Sequence, residues 1–165
     1  MIRKMASDHL EQLDEIINDG AQVYKGVIPA DCWHEPYMPL EALRAEIAAG
    51  VEFWGWEENG RFLGVMGRQD RGEVYLIRHA YVLQARQQQG IGSRLLAFLR
   101  SELEKPILVG TWAAAWWAVR FYEKHGFKLV TPVEKDRLLK TYWNISARQV
   151  ETSVVLGDKI WFGAI

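Results

Sequence analysis

Apolar residues fall at helical spacing at Leu10, Leu13, Ile16 and Ile17, and the pattern stops at Asp19-Gly20. That spacing predicts an amphipathic helix to about Asn18, with Asp8 and Glu11 as a capping box, behind a short first strand at Ile2 to Met5. Periodicity fades over 21–38, where Gly26, Pro29, Pro36 and a run of aromatic residues predict a loop or broken helix. Pro39 suits the first turn of a second helix, with Leu40, Leu43 and Ile47 inward and Gly50 at its end. Alternation then replaces the helical period. Val51 to Trp56 and Phe62 to Arg68 read as a hairpin around Glu58-Asn59-Gly60, Asp70-Arg71-Gly72 as the next turn, and 73–82 as a long strand.

Further along, Ile91 to Glu104 is amphipathic again and closed by Pro106. Ile107 to Gly110 reads as a strand, Ala113 to Lys124 as a helix stopping at Gly126, and Phe127 to Val130 as a strand. Thr131-Pro132 with Glu134 predicts a capped short helix to about Lys140, and Val150, Thr152, Val154 and Leu156 alternate in a last strand over 148–156. No repeat, linker or low-complexity segment interrupts the series.

At 165 residues the chain fits one domain, residues 1–165; a domain of this size buries roughly two thirds of its unfolded surface without disulfides or metals. Lys and Arg number 20 against 21 Asp and Glu, a net charge of −1. The basic residues are scattered, which argues against a nucleic-acid partner. Cys32 is the single cysteine, so neither an internal disulfide nor a cysteine metal cluster is expected, no metal is called for, and a reducing, cytoplasmic setting fits best. Met1 to Leu13 does not read as a signal peptide, and no stretch approaches the ~20 apolar residues of a membrane span, so no membrane partner is expected.

The candidate chemistry lies in Gln87-Gln88-Gln89-Gly90-Ile91-Gly92-Ser93, which joins the apolar segment from Glu73 to Leu83 to the amphipathic one. A strand that ends in a glycine-containing loop and turns straight into a helix leaves several backbone N–H groups beside the positive end of the helix dipole. Such a place seats an anion. A dinucleotide fingerprint does not fit, because Leu95 stands where its third glycine would, and no Gly-Lys-Ser/Thr follows to make a P-loop. About thirty residues later comes Arg120-Phe121-Tyr122-Glu123-Lys124-His125-Gly126-Phe127.

Together, Gln-x-x-Gly-x-Gly at 87–92 and Phe-Tyr-x-x-x-Gly-Phe at 121–127 resemble the two signature segments of the GNAT superfamily of acyl-CoA-dependent N-acetyltransferases. The order of strands and helices resembles that family's along nearly the whole chain. The resemblance implies an α/β (α+β) fold with a mixed, mostly antiparallel sheet of about seven strands, splayed between the fourth and fifth and flanked by about four helices. It also implies acetyl-CoA as co-substrate, with its pantetheine arm in the slot between strands 73–82 and 107–110. The activity implied is transfer of the acetyl group to a primary amine of a small molecule or peptide, by direct attack in a ternary complex. Homodimers are frequent in the family, and the apolar tail from Val154 to Ile165 suits either a dimer contact or the core.

By the same resemblance, the amides of Gln88, Gln89, Gly90, Ile91, Gly92 and Ser93 meet the diphosphate, with the Ser93 hydroxyl as a further donor. Gln87 stands where the family commonly has Arg or Gln, and Arg86 and Arg94 are the nearby charges. Tyr81 and Val82 lie where backbone groups pair with the pantetheine amides. Tyr122 occupies the position of the tyrosine that protonates the departing thiolate; a phenol of pKa about 10 keeps its proton at neutral pH. The usual places of a general base hold Leu76 and Arg78. Glu73 and His79 are the titratable groups close by, but His79 is one residue out of step and faces the other side of the pleat unless a bulge intervenes. An asparagine frequent in the family seven residues before the tyrosine is Ala115 here.

Residues 24–38 are implied as the roof of the acceptor pocket. Trp33, Tyr37, Trp54 and Trp56 favour an apolar or aromatic acceptor, while Asp31, Glu35 and Glu57 attract an amine. A reading from another class stands beside the enzyme: a catalytically silent acyl-CoA-binding sensor or interaction module.

Overall fold

The computed structural model describes residues 1–101 and 103–163; Glu102, within the segment read as helical to Glu104, and the end of the tail at Ala164 and Ile165 lie outside it. Along the chain the elements are β1 (Ile2–Lys4), α1 (Leu10–Gly20), α2 (Leu40–Ala48), β2 (Val51–Glu58), β3 (Arg61–Asp70), β4 (Tyr75–Val82), α3 (Ile91–Arg100), β5 (Ile107–Trp112), α4 (Trp116–Lys124), β6 (Lys128–Leu129), α5 (Pro132–Tyr142), α6 (Ala147–Glu151) and β7 (Ser153–Gly157). The strands form one sheet in the order β1-β2-β3-β4-β5-β7-β6. Among the described residues only β4 and β5 run parallel; the other neighbours are antiparallel.

The parallel pair is short. β4 and β5 match at Tyr75↔Ile107, Leu76↔Leu108 and Ile77↔Val109, after which β4 stays with β3 as far as Val82 and β5 stays with β7 as far as Trp112. The sheet therefore splays open between its fourth and fifth strands, as expected. Side chains of β4 alternate across the sheet: Ile77 joins a core cluster with Ile16 and Ile17 of α1 and Leu95, Leu96 and Leu99 of α3. Leu76 joins a second cluster with Leu138 and Leu139 of α5 and Val155.

Several local readings change. Asp8 and Glu11 make no capping box; the His9 ring Nδ1 accepts from the Ala6 N–H at 3.0 Å instead, and Ser7–His9 is a 3₁₀ turn ahead of α1. In α2 only Leu43 is buried, while Leu40 and Ile47 are exposed. The segment 148–156 is not one strand: the Ser146 hydroxyl accepts from the Gln149 N–H at 3.1 Å and starts α6, so β7 begins at Ser153. Among the described residues six helices flank the sheet, where about four were expected. The tail is core as far as Leu156, and Ile160 and Phe162 beyond it are exposed.

Candidate active site

Where β3 meets β4 the register slips between Val65↔Tyr81 and Gly67↔Arg78. The extra residue makes a bulge, and His79 within it has φ +55. A bulge re-aims the side chains around it, and here His79 lies against both cavities of the splayed region. The first, of about 120 Å³, is the slot itself and is lined by Tyr24, Arg78, His79, Tyr81, Thr111 and Tyr122, among others. A wider one of about 340 Å³ opens beside it, lined in part by Asp31, Tyr37, Glu46, Arg78, His79 and Arg148.

His79 Nε2 lies 3.0 Å from Glu46 Oε2, and Arg78 Nη1 approaches the same carboxylate oxygen at 3.0 Å. Burial pulls the Glu46 carboxyl upward, but the His79 hydrogen bond and the Arg78 charge outweigh it and hold the group below the usual carboxylate range. Burial likewise governs His79, and holds its imidazole below the ordinary value despite the Glu46 bond. An ionised carboxylate can only accept, so Nε2 carries the proton in this pair. The lone pair is left on Nδ1. The imidazole also stacks on Phe53 with centroids 6.1 Å apart, which fixes the ring plane.

Glu73, the other titratable group near this strand, precedes β4 at the closed end of the β4–β5 pair, where its carboxylate accepts from the Tyr142 hydroxyl at 2.9 Å. Leu76 is fully buried. Of the residues that suggested an aromatic acceptor, Tyr37 lines both cavities. Trp54 and Trp56 line neither: Trp54 lies under Arg68 and Trp56 under Arg94. Asp31 lines the wider cavity and is bound by Arg148 at 2.9 and 3.2 Å; Glu35 pairs with Lys25 and Glu57 with Arg3.

Tyr122 sits in the wall of the slot, 5% exposed. The motif around it is explained by how α4 ends: Gly126 turns the chain at φ +87, and the Phe127 N–H donates back to the Tyr122 carbonyl at 3.0 Å. Phe127 then packs edge-on against the Tyr122 ring at 5.6 Å. Burial pushes the phenol's pKa up, with the nearby Tyr24 adding to the effect. Ala115, at the N-terminal boundary of α4, is fully buried and brings no polar side chain.

The glycine loop follows β4 in the chain and leads into α3. Gln88 at φ +64 and Gly90 at φ +80 put two left-handed residues just ahead of α3, a backbone arrangement that turns successive N–H groups inward on an anion. Among the described residues none accepts a hydrogen bond from the amides of Gln88, Gln89, Gly90, Ile91, Gly92 or Ser93. An added Cβ at Gly90 would meet no atom within 4 Å, so the approach is open. The Ile91 side chain is core, which leaves its amide as the group on offer. Ser93 Oγ lies 3.0 Å from His125 Nε2, and Gln87 Nε2 donates to the Val82 carbonyl at 3.4 Å.

Arg86 and Arg94 are committed elsewhere, Arg86 to Glu58 at 2.7 Å and Arg94 to the face of Trp56. The loop thus offers amides rather than side-chain charge. On β4, the Leu83 N–H bonds the Leu63 carbonyl, so by alternation the Tyr81 backbone groups turn toward β3 and those of Val82 toward the open edge. The Tyr81 side chain joins Tyr24 and Tyr37, at centroid distances of 6.1 and 6.3 Å, in the aromatic wall. The Glu46–His79 pair is what the sequence reading missed: Gly67 sits at the slip on β3, but β4 itself has no glycine or proline to say which of its residues is the extra one.

Residues 13–141 match the family model described as the acetyltransferase (GNAT) domain. The peptidyl-lysine N-acetyltransferase YiaC of Escherichia coli K12 is 24% identical over 152 residues, covering 92% of this chain and 99% of that protein. Among solved structures, PaiA N-acetyltransferase from Thermoplasma acidophilum in complex with coenzyme A superposes with a TM-score of 0.70 at 17% identity, over 96% of this chain and 97% of that one. YncA from Salmonella typhimurium with acetyl-CoA gives 0.60 at 23% identity, over 79% and 80%.

Proposed function

We propose that this chain, which belongs to the GNAT acetyltransferase family and is an acyltransferase, carries an acetyl group from acetyl-CoA to a primary amine by direct attack in a ternary complex. The reading is carried by Tyr122 and His79, which share the wall of the slot that opens where β4 and β5 part, and the unpaired amides of the loop that follows β4 support it. The diphosphate is gripped by the amides of Gln88 to Ser93. The pantetheine arm lies along the open edge of β4 and pairs with the backbone of Val82 as an added strand would.

The acceptor enters through the wider cavity, which shares Arg78 and His79 with the slot. An amine arrives as an ammonium and must lose a proton before it can attack. His79 Nδ1 takes that proton, directly or through one water, while Nε2–H stays on Glu46. Attack on the thioester carbonyl forms the N–C bond, breaks the C–S bond and expels the thiolate toward Tyr122. The thiolate takes a proton from the phenol, and the proton that the nitrogen sheds on becoming an amide restores the phenol. Burial raises the phenol's pKa, and the same apolar wall raises the basicity of the sulfur, so the phenol donates its hydrogen bond where charge develops.

A small-molecule or peptide amine fits the cavity, and the lysine-acetylating relative favours a peptide. We place the enzyme in the cytoplasm, where acetyl-CoA is supplied, as one catalytic domain over residues 1–165. No helix among the described residues is long and apolar enough to cross a membrane.

The test is to incubate the chain with acetyl-CoA and a panel of amines and lysine peptides while following free thiol. Thiol release that depends on the amine is expected, and Tyr122→Phe should lower kcat about 10- to 100-fold with little change in CoA affinity. Tight coenzyme binding with no turnover across the panel would mark a silent acyl-CoA sensor instead. An unchanged rate in Tyr122→Phe would remove the tyrosine from the chemistry.

A further inference from the structure

Ser93 Oγ and His125 Nε2, 3.0 Å apart, join the glycine loop to the end of α4, and the reaction above makes no use of the histidine. The imidazole tilts against Phe121 at 4.8 Å, and the tip of that ring lies 3.4 Å from where a Cβ on Gly92 would stand. His125 is therefore tied by two contacts to the turn that begins α3. The charges acting on it are cations, Lys124 on its own helix and Arg100 on α3. Arg100 Nη1 also donates to the His125 carbonyl at 2.7 Å, and Lys159 of the C-terminal turn reaches within 3.8 Å of a Cβ built on Gly126.

A serine hydroxyl has one proton to give. With a lone pair on Nε2, that proton is spent on the imidazole; with hydrogen on Nε2, the imidazole donates to Oγ and the hydroxyl is released toward an anion. Burial, followed by Lys124 and Arg100, holds the imidazole's pKa below the ordinary histidine value while the seat holds no negative charge. A diphosphate on the loop amides supplies that charge one hydroxyl away.

We propose that His125 is a proton-accepting partner of the coenzyme seat: binding of the diphosphate draws one proton from solvent onto the imidazole, which donates to Ser93 Oγ while the Ser93 hydroxyl donates to a phosphate oxygen. This rests on the coenzyme reading above. It makes affinity pH-dependent with a definite sign. The bound form holds more protons than the free one, so the coenzyme binds more tightly as pH falls.

The probe is 3′-dephospho-CoA, because the 3′-phosphate monoester of CoA titrates on its own near pH 6, whereas the diphosphate diester keeps its charge. Calorimetry should give a dissociation constant about three- to tenfold tighter at pH 6 than at pH 8. The heats at pH 6.5, compared between buffers of different ionisation enthalpy, should show net proton uptake. His125→Gln should flatten the pH dependence, as should Ser93→Ala. Wild-type binding that is the same at both pH values with no proton uptake overturns the inference and leaves the coenzyme seat standing, as does a slope that persists in His125→Gln. Absence of binding at either pH brings down the seat, and the inference with it.

Discussion

At His79 the backbone takes φ +55, a conformation that costs a non-glycine residue about 1–3 kcal/mol and persists where its surroundings over-determine it. Glu46 on one ring nitrogen and Phe53 under the ring face supply that constraint, and they hold an imidazole that lines both cavities of the splayed region. Its depressed pKa sets the direction of the pH response. The base form is fully present above the ordinary histidine range and is lost only as pH falls below about 6.5. With saturating substrates, kcat is expected to hold from neutral pH down to that point and to decline below it. His79→Gln should lower kcat about 100-fold and abolish the acid limb of the profile, and an unchanged limb in that variant would assign it to another group. Tyr122 and the amides of 88–93 were legible in the sequence because each sits in a motif with its own glycine signal. His79 was visible as a residue, but its aim depends on a register slip that no glycine or proline in β4 itself marks.

The element that sets this aim is the β3–β4 bulge, and Gly67 is where the two strands come closest. A Cβ built there would stand 2.6 Å from the Arg78 carbonyl oxygen, and a backbone atom cannot swing aside as a side chain can. Gly67→Ala should therefore destabilise the fold by about 1–3 kcal/mol in denaturant unfolding. It should also lower kcat more than it weakens CoA binding, since the bulge aims His79 within β4 while the amides of the seat lie beyond the strand, in the loop ahead of α3. A variant as stable and as active as the wild type would show that the bulge is not held by this close approach. Elements with two agreeing signals were legible, as in the β2–β3 hairpin, where Asn59 and Gly60 both adopt positive φ as a two-residue turn requires. Over 148–156 two signals competed. The alternation at Val150 to Leu156 reads as strand, but the Ser146 cap holds the first part as α6, because a satisfied helix start outweighs a period-two pattern only a few residues long.

For the molecule as a whole, splitting a sheet between two parallel strands leaves backbone groups without partners, a cost that a bound ligand can offset. Tyr122 and His79, more than forty positions apart in the chain, both line this opening, and the loop with the unpaired amides follows β4 directly. Element order allows β4 and β5 to be parallel across the intervening α3, but the splay between them was expected from the resemblance to the family. The shape of the acceptor cavity was not legible, because its lining is drawn from the 21–38 segment, α2, α6 and the α5–α6 connection, where periodicity is lowest. The central claim is that the Gln88 to Ser93 amides and the Val82 edge clasp acetyl-CoA. Titrating the ¹⁵N-labelled chain with CoA tests it most directly: the amide resonances of Gln88, Gly90, Gly92, Ser93 and Val82 should move together and saturate at one dissociation constant. Saturable binding that leaves those resonances in place while others shift, or no shift at millimolar CoA, would contradict it.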